Sequence, residues 1–424
     1  MSGEPNTHTS PERPPVALVL LLGTALLINY VDRGTISTAA PLIERQLGLT
    51  PSQLGWVLSV FFFAYVPAQP LMGWLADTVG AARVLAAGFL LWSAATVAAG
   101  LSRGVAGLLA ARWLMGVGEA VTYPSALALL AQRVTDRHRA RATSVLQLGG
   151  MVGPALGTFV GGLLMVRYGW RTMFISLGLA SLLWLIPWFR QMRAAPLHAA
   201  PEAATGASPA YLDILRQRAL WGTMLGNFCS NYAFYFVFTT LPLYLVHERG
   251  LSLLNMTYLT TGFFAMESLG VLLSGWLLDA WMQRGASASQ AYKSALVVSA
   301  AGVGVCLLAA SAVGLTGATL LLLAAGFMDG LNAPAVCSLV QHFAGPYATG
   351  RWMGVQNALS NVAGMVAPVV AGYLAEATGH YDAALWLAGG VALSGLLAWL
   401  AIVPAVRPVQ WSAAAEGPAP APGL

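Results

Sequence analysis

Apolar runs long enough to cross a bilayer as helices recur twelve times along the chain. They fall near residues 16–42, 53–76, 82–101, 105–130, 142–166, 172–190, 219–246, 254–281, 293–313, 317–343, 351–376 and 382–405. Most polar intervals between them are short. The longest, Gln191 to Arg218, separates six runs from six, is rich in Ala and Pro, and closes with Tyr211-Leu212-Asp213-Ile214-Leu215-Arg216. This pattern predicts an all-α polytopic membrane protein with twelve transmembrane helices in two pseudo-symmetric six-helix bundles. The expected divisions are a tail at 1–15, a bundle at 16–190, a linker at 191–218 ending in a short surface helix, a second bundle at 219–405, and a Pro/Ala-rich disordered tail at 406–424.

Composition supports the class. Hydrophobic residues make up 57% of the 424 residues and charged residues only 9%, against roughly 25% charged in a soluble domain. No cleavable leader is expected, because the first fifteen residues are polar and the first apolar run continues as a span. Cys229, Cys306 and Cys337 all lie in apolar runs without pairing or metal-ligand spacing, and read as small core residues. The net charge of +5 does not imply nucleic acid, because the basic residues are distributed by topology. With the N-terminus inside, 14 of the 21 Lys and Arg face the cytoplasm, five face the other side, and Arg33 and Arg112 lie within the membrane. The positive-inside rule then places both termini in the cytoplasm of a cell whose inner (plasma) membrane holds the protein.

The two halves repeat each other. Gly73-Trp74-Leu75-Ala76-Asp77 ends the second run as Gly275-Trp276-Leu277-Leu278-Asp279 ends the eighth, an offset of 202. Glu119 precedes Pro124 by five residues as Asp329 precedes Pro334, and Gly162 and Gly169 match Gly372 and Gly379, both at an offset of 210. Parallel six-helix repeats place a substrate site near mid-membrane at their interface.

The candidate chemistry is a set of charges at membrane depth. Arg112 and Glu119 lie seven residues apart in one run, so they share a helix face with roughly 10 Å of rise between them. Asp32 and Arg33 are adjacent in the first run, so their side chains diverge by about 100°. Buried charges cost a few kcal/mol each and mark pathways or pairs. Burial disfavours an ionised carboxylate and a nearby guanidinium favours it, so moving an arginine away lets the acid take up a proton. Arginine stays charged and its planar fork fits a carboxylate ligand. Protonating Asp32 or Glu119 would thus free an arginine for an anion.

The stretch Gly73 to Arg83 resembles the signature loop of the major facilitator superfamily, although only Arg83 remains of its usual basic cluster. Asn29-Tyr30-Val31-Asp32-Arg33-Gly34, Arg112 to Pro124, and Gly364-Met365-Val366-Ala367-Pro368 are similar to that family's anion:cation symporter branch, which includes bacterial sugar-acid transporters. The resemblance implies the major facilitator fold. It also implies proton-coupling roles for Asp32 and Glu119, substrate carboxylate binding by Arg33 and Arg112, and gating by Asp77 with Arg83. By the same route Tyr30, Tyr65, Gln147 and Asn361 become cavity residues that bind hydroxyl groups, although each also reads as a helix–helix hydrogen bond. Asn357 is a weaker candidate. The aromatic stretch from Asn231 to Phe236, and the intramembrane acids Glu267 and Asp329, have no assigned role. Thr239-Thr240-Leu241-Pro242 departs from the branch, which usually shows a Trp before Leu-Pro.

The resulting expectation is a proton symporter taking up an organic carboxylate, most simply a sugar acid. It would work as a monomer in the lipid bilayer, with a small organic anion and protons as its partners. No cofactor, metal or nucleic acid is expected. A flatter aromatic acid is one alternative. The run Gly149 to Gly157, which resembles the Gly/Pro motif of drug:proton antiporters, keeps efflux as another. An enzyme is not expected, because no nucleotide loop, metal-ligand cluster or nucleophile–base pair occurs in the polar loops.

Overall fold

A computed structural model describes residues 16–134, 136–194 and 209–411. The expected tail at 1–15, residues 412–424 of the expected tail at 406–424, and the middle of the expected linker lie outside the described residues. So do the side chains of Asp77, Asp279 and the 136–141 stretch. The described residues are helical almost throughout, with no strand among them.

Ten stretches are long and apolar enough to span a membrane. One of them, Ala142–Arg193, holds two spans. Its helix breaks at Gly169, whose φ of 80° favours glycine. Before the break, Gly149, Gly153, Gly157 and Gly161 track span 1 from Gly23 to Thr35; after it, Gly178 lies on Ser93 and Trp188 on Ala82, running back along span 3. The chain therefore reverses at Gly169. The remaining span is Arg218–His247, interrupted by Asn227, Ser230 and Asn231 and packed against the first, eleventh and twelfth spans. Spans 1 to 12 are thus Val16–Leu47, Pro51–Leu75, Ala81–Leu101, Val105–Glu119 continued by Thr122–Arg133, 136–168, 170–194, Arg218–His247, Leu253–Gln283, Ala288–Ala310, Leu315–Gly330 continued to 344, 346–378 and Asp382–Leu397.

Local chemistry sets several ends. Thr50 accepts from the Gln53 N–H while the Gln53 side chain accepts from Thr50 N–H, and Ser287 with Gln290 does the same for span 9. Such caps satisfy orphan amides and contribute about 1 kcal/mol each. The turns at 48–50, 102–104, 248–252, 311–314 and 379–381 share one face with Gly169, here termed the short-loop face. The opposite face, here termed the tail face, carries Val16, the turns at 76–80 and 284–287, and the break at Gly345.

The repeat is physical. A Cβ at Gly116 in span 4 would stand 2.3 Å from the Phe61 carbonyl of span 2, and one at Gly326 in span 10 would stand 2.4 Å from the Phe263 carbonyl of span 8. These are the same contacts at offsets of 210 and 202. Spans 4 and 10 also break directly after their acids, at Ala120-Val121 and at Leu331.

The bundles meet at the short-loop face. Ser52 donates both N–H and O–H to Glu376, the Trp56 indole reaches the Tyr373 hydroxyl at 3.4 Å, and His247 Nε2 lies 2.7 Å from Glu44 Oε2. Pro51 packs on Gly372, Gly55 on Pro368, and Gly162 on Thr257. Deeper, Ser268 donates to the Met151 carbonyl at 2.9 Å, and Phe62 meets Tyr235 edge-on at 4.6 Å.

Candidate functional site

Of the expected side chains, Arg33, Arg112 and Glu119 converge in one buried cluster. Glu119 is held by Arg33 from span 1: Nη2 lies 2.8 Å and Nε 2.9 Å from the same oxygen, Oε2. The seven-residue spacing explains why Arg112 is not the partner: two turns of rise carry the two groups apart along their shared face. Asn29, one turn before Arg33, accepts from Arg33 Nη2 at 3.1 Å and donates to Thr122 at 3.3 Å. Asp32 points elsewhere, as adjacency requires. It accepts from the Trp92 indole at 3.2 Å and from Ser181 at 3.1 Å through Oδ2.

The cluster is buried and incompletely paired. Arg33 and Arg112 are 3% and 1% exposed. The Arg33 guanidinium lies 4.8 Å from the Tyr30 ring, 4.9 Å from Phe61 and 4.6 Å from Tyr65, a cage of three aromatic faces that favours a cation. Arg112 lies 4.9 Å from the same Phe61 ring, and its Nη1 approaches the Met115 sulfur at 3.1 Å. Among the described residues it has no carboxylate within salt-bridge distance. Its Nε, Glu119 Oε1 and Asp32 Oδ1 are buried without partners. Buried groups left so are rare, and each calls for an explanation.

A cavity of about 260 Å³ adjoins this cluster on the tail side of the bundle contacts. Tyr30 is its wall on the N-terminal bundle. The C-terminal bundle supplies Asn231, Tyr235, Glu267, Asp329, Gln356 and Asn361, among others. A larger cavity of about 490 Å³ lies between spans 8 and 9, lined mostly by apolar groups such as Trp276 and Leu277, with Arg284 at its edge. Trp276 and Leu277 are exposed, so this one belongs to the bundle's outer surface. Chemistry rather than size selects the first.

The family model described as Major Facilitator Superfamily matches residues 22–291 and again 259–423. The chain belongs to the Major Facilitator Superfamily. It is 29% identical over 413 residues to a hexuronate transporter of Bacillus subtilis (strain 168), covering 94% of this chain and 96% of that protein. It is 32% identical over 369 residues to a probable sulfoacetate transporter of Cupriavidus necator, covering 82% and 85%. A bacterial homologue of the human lysosomal transporter Spinster has the same fold, with a TM-score of 0.73 at 18% identity, covering 92% of this chain and 94% of that one.

In this facilitator the other expected residues fall in different places. Tyr30 and Asn361 line the cavity, and Asn361 Oδ1 accepts from the Tyr235 hydroxyl at 2.5 Å. Tyr65 is buried against Arg33 and stacks on Phe61 at 5.3 Å. Gln147 accepts from the Tyr123 hydroxyl at 2.7 Å. Neither Tyr65 nor Gln147 is among the lining residues of that cavity. Asp77 sits in the wide turn Ala76–Gly80, and Arg83 is exposed in the first turn of span 3. The Gly149 to Gly157 run is a packing face: Gly149 seats on Gly23, Gly153 on Tyr30 and Gly157 on Val31. Sequence reasoning left out Asn29, Trp92, Ser181, Asn227 and Gln356. Only Asn29 carried a signal, through its echo at Asn231.

Proposed function

We propose that this facilitator couples the inward movement of protons to uptake of an organic anion carrying a carboxylate, by alternating access, with a sugar acid as the leading substrate. The observation that carries this reading is the buried, unbalanced pairing around Glu119. One oxygen holds Arg33, the other is free, and Arg112 waits nearby without a carboxylate of its own. A substrate carboxylate supplies what Arg112 lacks, and a proton on Glu119 releases Arg33 toward the cavity through Tyr30. Asp32, held by Trp92 and Ser181, serves as a second proton carrier. The hexuronate transporter at 29% identity favours a polyhydroxy acid, and the carboxamides and hydroxyls of Asn227, Ser230, Asn231, Asn357 and Asn361 suit its hydroxyl groups. The probable sulfoacetate transporter favours a smaller, doubly anionic substrate as the second reading.

On the reading that the arginine-rich tail face is cytoplasmic, the closed short-loop face corresponds to a state open inward. Opening outward requires breaking Ser52–Glu376 and His247–Glu44. Asp77 and Arg83 are the proposed gate on the other side. The test is a thermal-shift panel on the purified full chain with hexuronates, sulfoacetate, aromatic acids and lipophilic cations. Stabilisation by a hexuronate that vanishes in Arg112→Ala supports the reading. Stabilisation only by lipophilic cations, indifferent to Arg112→Ala, rejects it in favour of a drug exporter.

A further inference from the structure

The C-terminal bundle holds a second acidic centre that the anion site does not use. Spans 8 and 10 cross where Gly270, Gly326 and Gly330 let the backbones touch; a Cβ at Gly330 would stand 2.1 Å from the Glu267 carbonyl oxygen. The crossing brings the Glu267 carboxylate of span 8 within electrostatic reach of the Asp329 carboxylate of span 10, and both line the cavity. Asp329 is 9% exposed, and neither acid has a hydrogen bond or ion pair among the described residues. A second observation points the same way. Gln356 of span 11 is 1% exposed, lines the same cavity, and its Oε1 has no donor.

The repeat shows what is missing. An offset of 202 lays Asn29-Tyr30 of span 1 on Asn231-Tyr232 of span 7, so Tyr235 stands where Arg33 would be. Leu322 stands in place of Arg112, Asp329 keeps the place of Glu119, and Glu267 takes that of Tyr65. The N-terminal bundle thus balances two acids with two cations, whereas the C-terminal bundle sets two acids side by side with none. The titratable groups that line the cavity with the pair are Tyr30, Tyr235 and Cys337, and on span 9 Lys293 donates instead to the Val403 carbonyl. Two adjacent carboxylates in a low-dielectric site do not both stay ionised without a cation between them. An anion drawn toward Arg33 would meet that charge.

We infer that Glu267 and Asp329, backed by Gln356, form a second cation-accepting site on the C-terminal wall of the cavity, taking one small monovalent cation: a proton shared by the two carboxylates, or sodium. Its role as a coupling ion rests on the transport reading; the binding does not. A shared proton belongs to the pair, so removing either acid removes the whole effect.

The test is infrared spectroscopy of the full chain in lipid vesicles without substrate, following the protonated-carboxyl band. One arm titrates pH in choline buffer, and the other replaces choline with sodium at fixed alkaline pH while measuring retained radiolabelled sodium. For a proton, part of the wild-type band is lost in Glu267→Gln and in Asp329→Asn, the double variant loses no more than either, and sodium changes nothing. For sodium, wild type retains the label and both variants lose it. Glu267→Asp, which keeps the acid, retains the signal if the variants are folded. Either result supports the site. Variants that keep both the full band and the full sodium binding overturn it. Failure of Arg112→Ala to weaken anion binding would sink the anion reading while leaving this signal in place.

Discussion

Arg112 and Arg33 are equally buried yet should respond in opposite ways to the same substitution. Replacing either with Met keeps most of the aliphatic volume and removes the charge. At Arg33 this breaks an ion pair with two nitrogens within 2.9 Å of Glu119 Oε2, leaving a buried carboxylate uncompensated. Breaking one side of such a pair costs about 3–5 kcal/mol. At Arg112 the charge has no carboxylate partner among the described residues, its Nε has no acceptor, and Nη1 makes a 3.1 Å approach to the Met115 sulfur. Removing it relieves a desolvation penalty of several kcal/mol and forfeits one weak contact and some packing against Phe61. The net expectation is a gain of about 1–3 kcal/mol in the ligand-free protein. The assay is thermal unfolding of the detergent-purified chain, followed by tryptophan fluorescence, for wild type and both variants. Arg33→Met should melt well below wild type, and Arg112→Met at or above it, with anion binding lost in both. Equal destabilisation by both would refute the idea that Arg112 is held unpaired for a ligand.

Three further outcomes follow from the geometry. Glu44→Gln should lower the melting temperature only slightly, because it removes the charge 2.7 Å from His247 Nε2 in a pair whose His247 side chain is 37% exposed; a loss as large as that of Arg33→Met would contradict this. Gly326→Ala should lower expression and stability by about 1–3 kcal/mol, because its Cβ would stand 2.4 Å from the Phe263 carbonyl. Gly275→Ala, with open space around it, should match wild type in the same assay. Glu119→Gln should keep some anion binding but lose uphill uptake, and full uphill uptake by that variant would remove Glu119 from the proton path.

How much of this was legible beforehand follows from range. The spans were readable because hydrophobic runs are local, and so was the repeat, because Gly-Trp-Leu-x-Asp recurs verbatim in pattern. The pairing of Glu119 with Arg33 was not, because it depends on how spans 1 and 4 rotate against each other, and Trp92 and Ser181 became visible as partners of Asp32 only once spans 3 and 6 were packed. Glu267 had no role from sequence although the offset of 202 places it opposite Tyr65. A tyrosine and a glutamate share no pattern to match, and only the backbone contact at Gly330 brings Glu267 beside Asp329. The reversal between spans 5 and 6 was legible as well: the apolar runs at 142–166 and 172–190 are separate in the sequence, and the positive φ of Gly169 falls between them.

The most direct test of the central claim is uptake of the anion selected by the thermal-shift panel into proteoliposomes bearing an imposed proton gradient. The account predicts that wild type concentrates the anion, that a proton uncoupler collapses the accumulation, and that Glu119→Gln shows no gradient-driven accumulation. Accumulation that persists undiminished with the uncoupler present would contradict it.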